Sequence, residues 1–283
     1  MNGDRLAELI SEVRNPEPAR TTIDIYKFIE EHRIVAQHQF GNFIKNFEDF
    51  FDDLNTAIWL LNYVPKNTWP KHRGIQYFLY PETLKTLHCS FEIAINGNYD
   101  ESVMLARSVF ETYLRIVFIS CFPSDWESVF NDLRGRRRFD VTSLIRDHLK
   151  VDWYFIYRIM CKVHHSKSHL HLKKIIERSM GVKHPPVQLE YKGDKKALGM
   201  AVNLIILDLT LLFHMMMTLF APDFDNHSEL KKRKARLKKI DTVLLGLIQS
   251  NDRPQFSAIS NDMLKIEKLV HAADAGRDWT KLV

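Results

Sequence analysis

The longest apolar stretch of the chain, residues 198–221, places the strongest constraint on its fold. It reads LGMAVNLIILDLTLLFHMMMTLFA and is long enough to cross a bilayer as one helix. The stretch also contains Asn203, Asp208 and His214, and an aspartate near the centre of a span opposes membrane insertion by about 2.5 to 3.5 kcal/mol. We therefore predict a buried core helix here and no membrane association.

Apolar residues recur three and four positions apart in several other segments, as expected for helices that bury one face. This spacing predicts helices over residues 22–63, over 101–121 and from Ser228 onward. Glycine is scarce, at 10 of 283 residues, and an all-β fold needs many tight turns. We therefore predict an all-α fold, a multi-helix bundle with long antiparallel helices.

We divide the chain into three segments: an N-terminal helical segment over 1–80, a central helical bundle core over 81–222 and a C-terminal basic helical hairpin over 223–283. Residues 67–80 contain Pro70 and Gly74 among aromatic residues without a helical period, which predicts a packed loop. Pro81 is then expected to begin the next helix, because proline is tolerated in the first turn.

The cysteines and the N-terminus indicate where the protein resides. Cys89, Cys121 and Cys161 are widely spaced and form no CxxC pair, so the sequence suggests neither a disulfide framework nor a zinc knuckle, and a reducing compartment fits. The first residues, MNGDRLAELISEVRN, carry charges throughout and lack the apolar core of a signal peptide. We therefore expect a cytoplasmic protein.

The most unusual segment runs from Tyr157 to His171 and holds Arg158 and four histidines. Imidazole transfers protons near neutral pH and a guanidinium binds phosphate through two hydrogen bonds, so the segment suits phosphodiester cleavage. The candidate catalytic residues are Arg158, His164 and His165. Residues six apart on a helix are offset by about 120°, so Arg158 and His164 converge only if the helix ends near His164, if the arginine reaches around it, or if a second subunit completes the site.

Two other interpretations of the histidines stay open. Histidines near the C-terminal end of a helix interact favourably with its dipole, which is a purely structural role. His165 and His169 lie four residues apart and could bind a metal with a carboxylate from elsewhere. The segment has no HExxH glutamate and no cysteine at ligand spacing, so we expect no metal.

A second constellation contains Arg107 and Glu111, which lie four positions apart among apolar residues. Residues at this spacing share one face of a helix. The pair is either an ordinary surface ion pair, worth a few tenths of a kcal/mol, or part of a polar cleft beside the histidines. In the second case Tyr157 and Ser166 are expected to support the same cleft.

These constellations resemble those of known helical proteins. The helix pair PETLKTLHCSFEIAINGNYDESVMLARSVFETYLRIVFI, with Arg107 and Glu111, and the later Tyr157-Arg158 and Val163–Ser166 residues resemble a group of bacterial proteins of uncharacterised function, DUF5677. They resemble more distantly the HEPN superfamily of helical ribonucleases and toxins, whose signature is an arginine followed by four to six residues and a histidine.

The resemblance implies a HEPN-like core and a homodimer that forms a composite RNA-cleaving site without a metal or other cofactor. By this likeness Arg158 binds the scissile phosphate and His164 transfers a proton. Such proteins often act as toxins or in defence against phage, and a protein partner controlling the activity is an expectation of the same kind.

Two clusters of basic residues predict contact with nucleic acid. The net charge is only +5, but phosphate backbones are bound by local clusters of Lys and Arg. The candidate contacts are Arg134, Arg136, Arg137, Arg138, Lys231, Lys232, Arg233 and Lys234. Charge on the solvated face of a helix is the alternative for the second cluster. A non-enzymatic module that binds nucleic acid or protein is therefore the alternative function.

Overall fold

A computed structural model describes residues 22–67, 69–133, 140–166, 195–249 and 254–275. All regular elements within these ranges are helical, which confirms the predicted all-α, multi-helix fold. The α-helices in these ranges are α1 (Thr22–Leu60), α2 (Lys71–Ile95), α3 (Tyr99–Cys121), α4 (Trp126–Leu133), α5 (Val141–Ser143), α6 (Tyr154–Ser166), α7 (Lys195–Phe220), α8 (Ser228–Gln249) and α9 (Pro254–Asp274).

The chain divides into two compact units. Unit 1 comprises Met1–Glu48, Leu87–Arg107 and Arg158–Ile205, and unit 2 comprises Asp49–Thr86, Ser108–Tyr157 and Ile206–Val283. Short 3-10 turns at Leu61–Tyr63, Pro123–Asp125 and Ala221–Asn226, and a π-helical turn at Leu144–Leu149, connect the helices of unit 2.

The apolar helix α7 provides much of the core of unit 2. Within the candidate span Leu198–Asn226, 89% of the most apolar window is buried, as the core-helix prediction requires. The Tyr80 hydroxyl donates to the carbonyl of Leu212 at 3.3 Å, and the rings of Trp69, Tyr77 and Tyr80 surround Phe220. Helix α7 is therefore packed against protein along most of its apolar length.

Helix α2 begins earlier than its sequence predicted. The loop predicted over residues 67–80 is wrong from Lys71 onward, because α2 runs from Lys71 through Pro81, and Pro81 does not begin a helix. A proline inside a helix removes one backbone hydrogen bond. Side-chain contacts within unit 2 stabilise this first part of α2, since buried Gln76 donates to the Ser120 hydroxyl at 2.6 Å and the Tyr77 hydroxyl donates to Asn62 at 2.6 Å.

Unit 1 contains the turn between α2 and α3. Gly97 has φ +91°, a conformation that favours glycine. The Ser90 hydroxyl donates to the carbonyl of Ser102 at 2.9 Å, so the two helices run antiparallel on either side of the turn, as predicted. Phe47 and Phe91 stack with ring centroids 4.0 Å apart, which joins α1 to α2 within the unit.

Candidate functional site

Helix α6 carries Arg158 of the predicted catalytic residues. Ile156 and Met160 are buried, whereas the Arg158 side chain is exposed. Residue 158 lies about 200° around the helix from each of these apolar residues, so their burial turns its face toward solvent. The Arg158 side chain therefore lies on the solvent-facing side of α6.

The length of α6 decides which histidine position lies in line with Arg158. The helix continues to Ser166, so it does not end before His164, and position 164 remains about 120° from position 158 around the axis. Position 165 lies only about 20° from position 158 and roughly 10.5 Å further along the axis. The structure describes the backbone but not the side chains of His164, His165 and Ser166, and His169 lies outside the described residues.

Two of the predicted supporting residues meet in unit 2. The Tyr157 hydroxyl donates to Oε1 of Glu111 at 3.1 Å, in a half-buried position. This hydrogen bond joins α6 to α3. Arg107 is half-buried in its own helix. The geometry brings together Tyr157 and Glu111 from the predicted set.

The basic cluster at 231–234 is largely neutralised by acidic side chains of unit 2. Lys232 contacts Glu229 at 2.6 Å and Lys234 contacts Asp225 at 2.7 Å. The hydrogen bond from each lysine is the main cause of a lowered pKa for Glu229 and Asp225. Lys231 is exposed. Ion pairing of this kind leaves less charge for a ligand than the sequence suggested.

A buried aspartate accounts for much of the same cluster. Asp53 of α1 is 4% exposed and contacts Arg233 at 3.5 Å and Arg236 at 2.6 Å. Sequence reasoning missed Asp53, since its closest partner lies 183 residues away. Arg233 is therefore at least partly a structural residue. The other basic cluster, Arg134 to Arg138, lies outside the described residues.

A buried histidine of α7 forms a second polar cluster in unit 2. His214 Nδ1 lies 3.2 Å from Asp241 of α8, and its Nε2 lies 3.6 Å from Glu267 of α9. Burial lowers the pKa of His214, but the hydrogen bond and charge of Asp241, with Glu267, outweigh it and raise the pKa overall. A lone histidine in an apolar run was the only sequence signal for this cluster.

Unit 1 contains a buried histidine next to the turn at Gly97. The Nδ1 atom of His32 lies 3.3 Å from the Tyr99 hydroxyl, and burial lowers the pKa of His32 to about 4. A Cβ atom added to Gly97 would lie 2.8 Å from the His32 ring. Both the positive φ and this close approach therefore require glycine at position 97.

An open cavity of about 580 Å³ lies elsewhere in unit 1 and was not anticipated from the sequence. Its charged lining includes Glu30, Glu48, Glu92 and Arg33. Arg33 contacts Glu92 at 3.3 Å and donates to Asn96 at 2.6 Å. The acidic excess of this lining makes it a poor site for a phosphate.

No group of three or more His, Cys, Asp and Glu side chains in the described ranges could hold a metal ion. The alternative metal pair, His165 and His169, has no described side chains.

These features define an all-α protein that exposes Arg158 on the helix bearing the first histidines of the predicted site. Comparisons with protein-family models, curated proteins and solved structures give no match to this chain. The DUF5677 and HEPN resemblance therefore stays a prediction.

Proposed function

We propose that this chain is a metal-independent endoribonuclease of the HEPN kind, with Arg158 as the phosphate-binding residue and a histidine of α6 as the proton-transfer group. The observation that carries the proposal is the exposure of Arg158 on a helix that continues through positions 164 and 165. An exposed cationic side chain on a helix that also carries two histidines suits an anionic substrate.

The helix geometry favours His165 over His164 as the partner of Arg158 within one subunit. Positions 158 and 165 are seven apart, which places them nearly in line, whereas positions 158 and 164 diverge by about 120°. The separation of roughly 10.5 Å along the axis leaves room for one phosphate between an extended arginine and an imidazole. His164 is then the histidine expected to serve a second subunit in the homodimer.

RNA is the substrate that this chemistry requires. An imidazole removes the proton of the ribose 2′-hydroxyl as that oxygen attacks phosphorus, and the bond from phosphorus to the 5′ oxygen breaks. The departing oxygen takes a proton from a protonated imidazole, and the products carry a 2′,3′-cyclic phosphate and a 5′-hydroxyl. The Arg158 guanidinium neutralises charge on the phosphate oxygens. DNA lacks the internal nucleophile.

The test uses purified protein, end-labelled RNA and the same sequence as DNA, in excess chelator. Wild type is expected to cleave the RNA alone, and Arg158→Ala and His165→Ala are each expected to lower the rate by about a hundredfold or more. Lys85→Ala is the matched control, because Lys85 is an exposed cation of another helix, α2. Cleavage that requires a divalent metal, or that persists in both variants, would overturn the proposal.

Mixing Arg158→Ala with His164→Ala subunits tests the homodimer. The proposed site takes Arg158 and His165 from one copy and His164 from the other, so the mixture is expected to restore cleavage partly, whereas neither variant cleaves alone. A site formed within one subunit gives no such restoration.

A cytoplasmic toxin or phage-defence role, with a partner protein that restrains the activity, belongs to the same proposal. Growth of cells expressing wild type and Arg158→Ala, followed with RNA integrity, tests that role.

A nucleic-acid-binding module without cleavage is the second candidate. It is favoured by the basic helix α8, which exposes Lys231, Lys238 and Lys239. Binding of RNA by wild type with no cleavage under any condition would select it.

A further inference from the structure

Two large aromatic side chains are exposed side by side at the end of α1. Trp59 is 55% exposed and Tyr63, in the following 3-10 turn, is 59% exposed. Their ring centroids lie 5.0 Å apart in a T-shaped arrangement. Large aromatic rings are normally buried or used in contacts, because leaving them in water forgoes a large hydrophobic gain. This pair is therefore a candidate binding surface.

A third ring extends the pair toward the basic helix. The His227 ring lies 6.0 Å from that of Tyr63, tilted by 36°. His227 directly precedes α8, and its carbonyl accepts a hydrogen bond from the backbone N–H of Lys231 at 2.9 Å. Lys231 therefore lies in the first turn of α8 and is exposed.

Exposed lysines lie on the helix next to these rings. Ion pairs with Glu229, Asp225 and Asp53 engage Lys232, Lys234, Arg233 and Arg236, and Lys231, Lys238 and Lys239 are exposed on α8. On the α1 side, exposed Lys66 follows Tyr63 by three residues, and its ammonium donates to the carbonyl of Asn62 at 3.4 Å and lies 4.9 Å from the centroid of the Tyr77 ring. Cations beside exposed aromatic rings are complementary to a polyanion that also presents flat apolar faces.

We propose that Trp59, Tyr63 and His227 form a stacking platform for the bases of a single-stranded nucleic acid, with Lys66 and Lys231 binding its phosphates. A single strand is required because a duplex hides the faces of its bases, whereas unpaired bases stack on aromatic side chains. The platform lies outside the arginine and histidine segment, and the inference does not depend on the cleavage reaction.

Fluorescence anisotropy of labelled oligonucleotides tests the platform in the full chain, at about 50 mM salt. The probes are oligouridine and oligothymidine of about 12 nucleotides and a duplex of the same length. All variants carry Arg158→Ala so that RNA stays intact. Trp59→Ala and Tyr63→Ala are each expected to weaken single-strand binding about five- to hundredfold. The matched control is Tyr26→Ala, because Tyr26 is 69% exposed in unit 1, and it should bind as its parent does.

Lys231→Ala is expected to reduce the salt dependence by about one phosphate contact, a change of roughly 0.7 in slope. Weaker binding of either single strand by Trp59→Ala and Tyr63→Ala than by their parent supports the platform. Tighter binding of oligouridine than of oligothymidine would indicate that the ribose is recognised as well. Equal affinity of the ring variants and their parent, or tighter binding of the duplex, overturns it. The platform is also overturned if the protein binds no oligonucleotide but self-associates, and if the ring variants lose this self-association. The rings would then belong to a protein contact. If the wild-type protein with Arg158 intact cleaves no RNA while ring-dependent binding is retained, the nuclease is refuted and the platform stands.

Discussion

Acid should destabilise the native protein through His32, and the size of the effect follows from its burial. Burial lowers the pKa of His32 from 6.5 to about 4, so the native state holds the neutral imidazole while the unfolded chain accepts a proton more readily. The stability due to this group is fully present above pH 6.5 and is lost as the pH falls toward about 4. A difference of one in pKa corresponds to about 1.4 kcal/mol, so the full effect is roughly 3 kcal/mol.

Urea unfolding of wild type and His32→Gln, from about pH 7 to about pH 4.5, measures this contribution. Glutamine keeps a polar group opposite the Tyr99 hydroxyl but does not titrate. Groups other than His32 act in both proteins, so their effects cancel in the comparison. Wild type is expected to lose about 2 to 3 kcal/mol more than the variant over this range. Parallel pH profiles would refute the reasoning, because they would mean that His32 accepts a proton in the native state as easily as in the unfolded chain.

Three further predictions concern buried charge in unit 2. Asp208 is buried and its carboxylate oxygens have no hydrogen-bond partner in the described residues, and burial raises its pKa. Asp208 therefore favours the native protein at low pH, and this contribution to stability is lost as the pH rises through the native pKa of Asp208. Asp208→Asn should raise the unfolding free energy at neutral pH by about 1 to 3 kcal/mol, less in acid, as urea titration would show. Arg236→Ala deprives the buried Asp53 of its closest cation and should lower the free energy of unfolding by about 2 to 4 kcal/mol in the same assay. Asp53→Asn should lower it less, because the Arg236 side chain that loses its partner is exposed to water. For His214, whose pKa is raised, stability is present below pH 6.5 and lost as the pH rises through the native value. Asp241→Asn should therefore lower the melting temperature in mild acid and change it little in alkali, and equal losses at both would contradict the pairing.

The helices were predictable wherever one apolar face repeats along the chain. The stretch around Asp208 is apolar on all sides, which marked it for the core. The first ten residues of α2 were missed because the side chains that stabilise them are polar or aromatic and have distant partners. Gln76, for example, finds Ser120 forty-four residues later. A local window contains no information about such a partner.

The candidate site was predictable only in its residue types. The sequence showed that Arg158 and the histidines are close in the chain, and it also indicated Tyr157 and Glu111 as supporting residues. Which histidine lines up with Arg158 depends on where α6 ends, which requires the structure. The function of the basic cluster on α8 was harder to predict, since a run of lysine and arginine looks the same whether it faces solvent or neutralises a buried acid such as Asp53.

The contact between Asp53 and Arg236 also bears on how the protein is made. The two residues are separated by 183 positions, and synthesis proceeds at about 5 to 20 residues per second. About 10 to 40 s therefore pass after Asp53 is added before the ribosome reaches its arginine. During that interval Asp53 lacks both arginines that it contacts in the folded protein, so we expect the end of α1 to reach its final place only after α8 is made. A ribosome-bound fragment that ends before α8 is expected to stay open to proteolysis around Asp53, and closure of this part of the molecule is among the last events of its biogenesis.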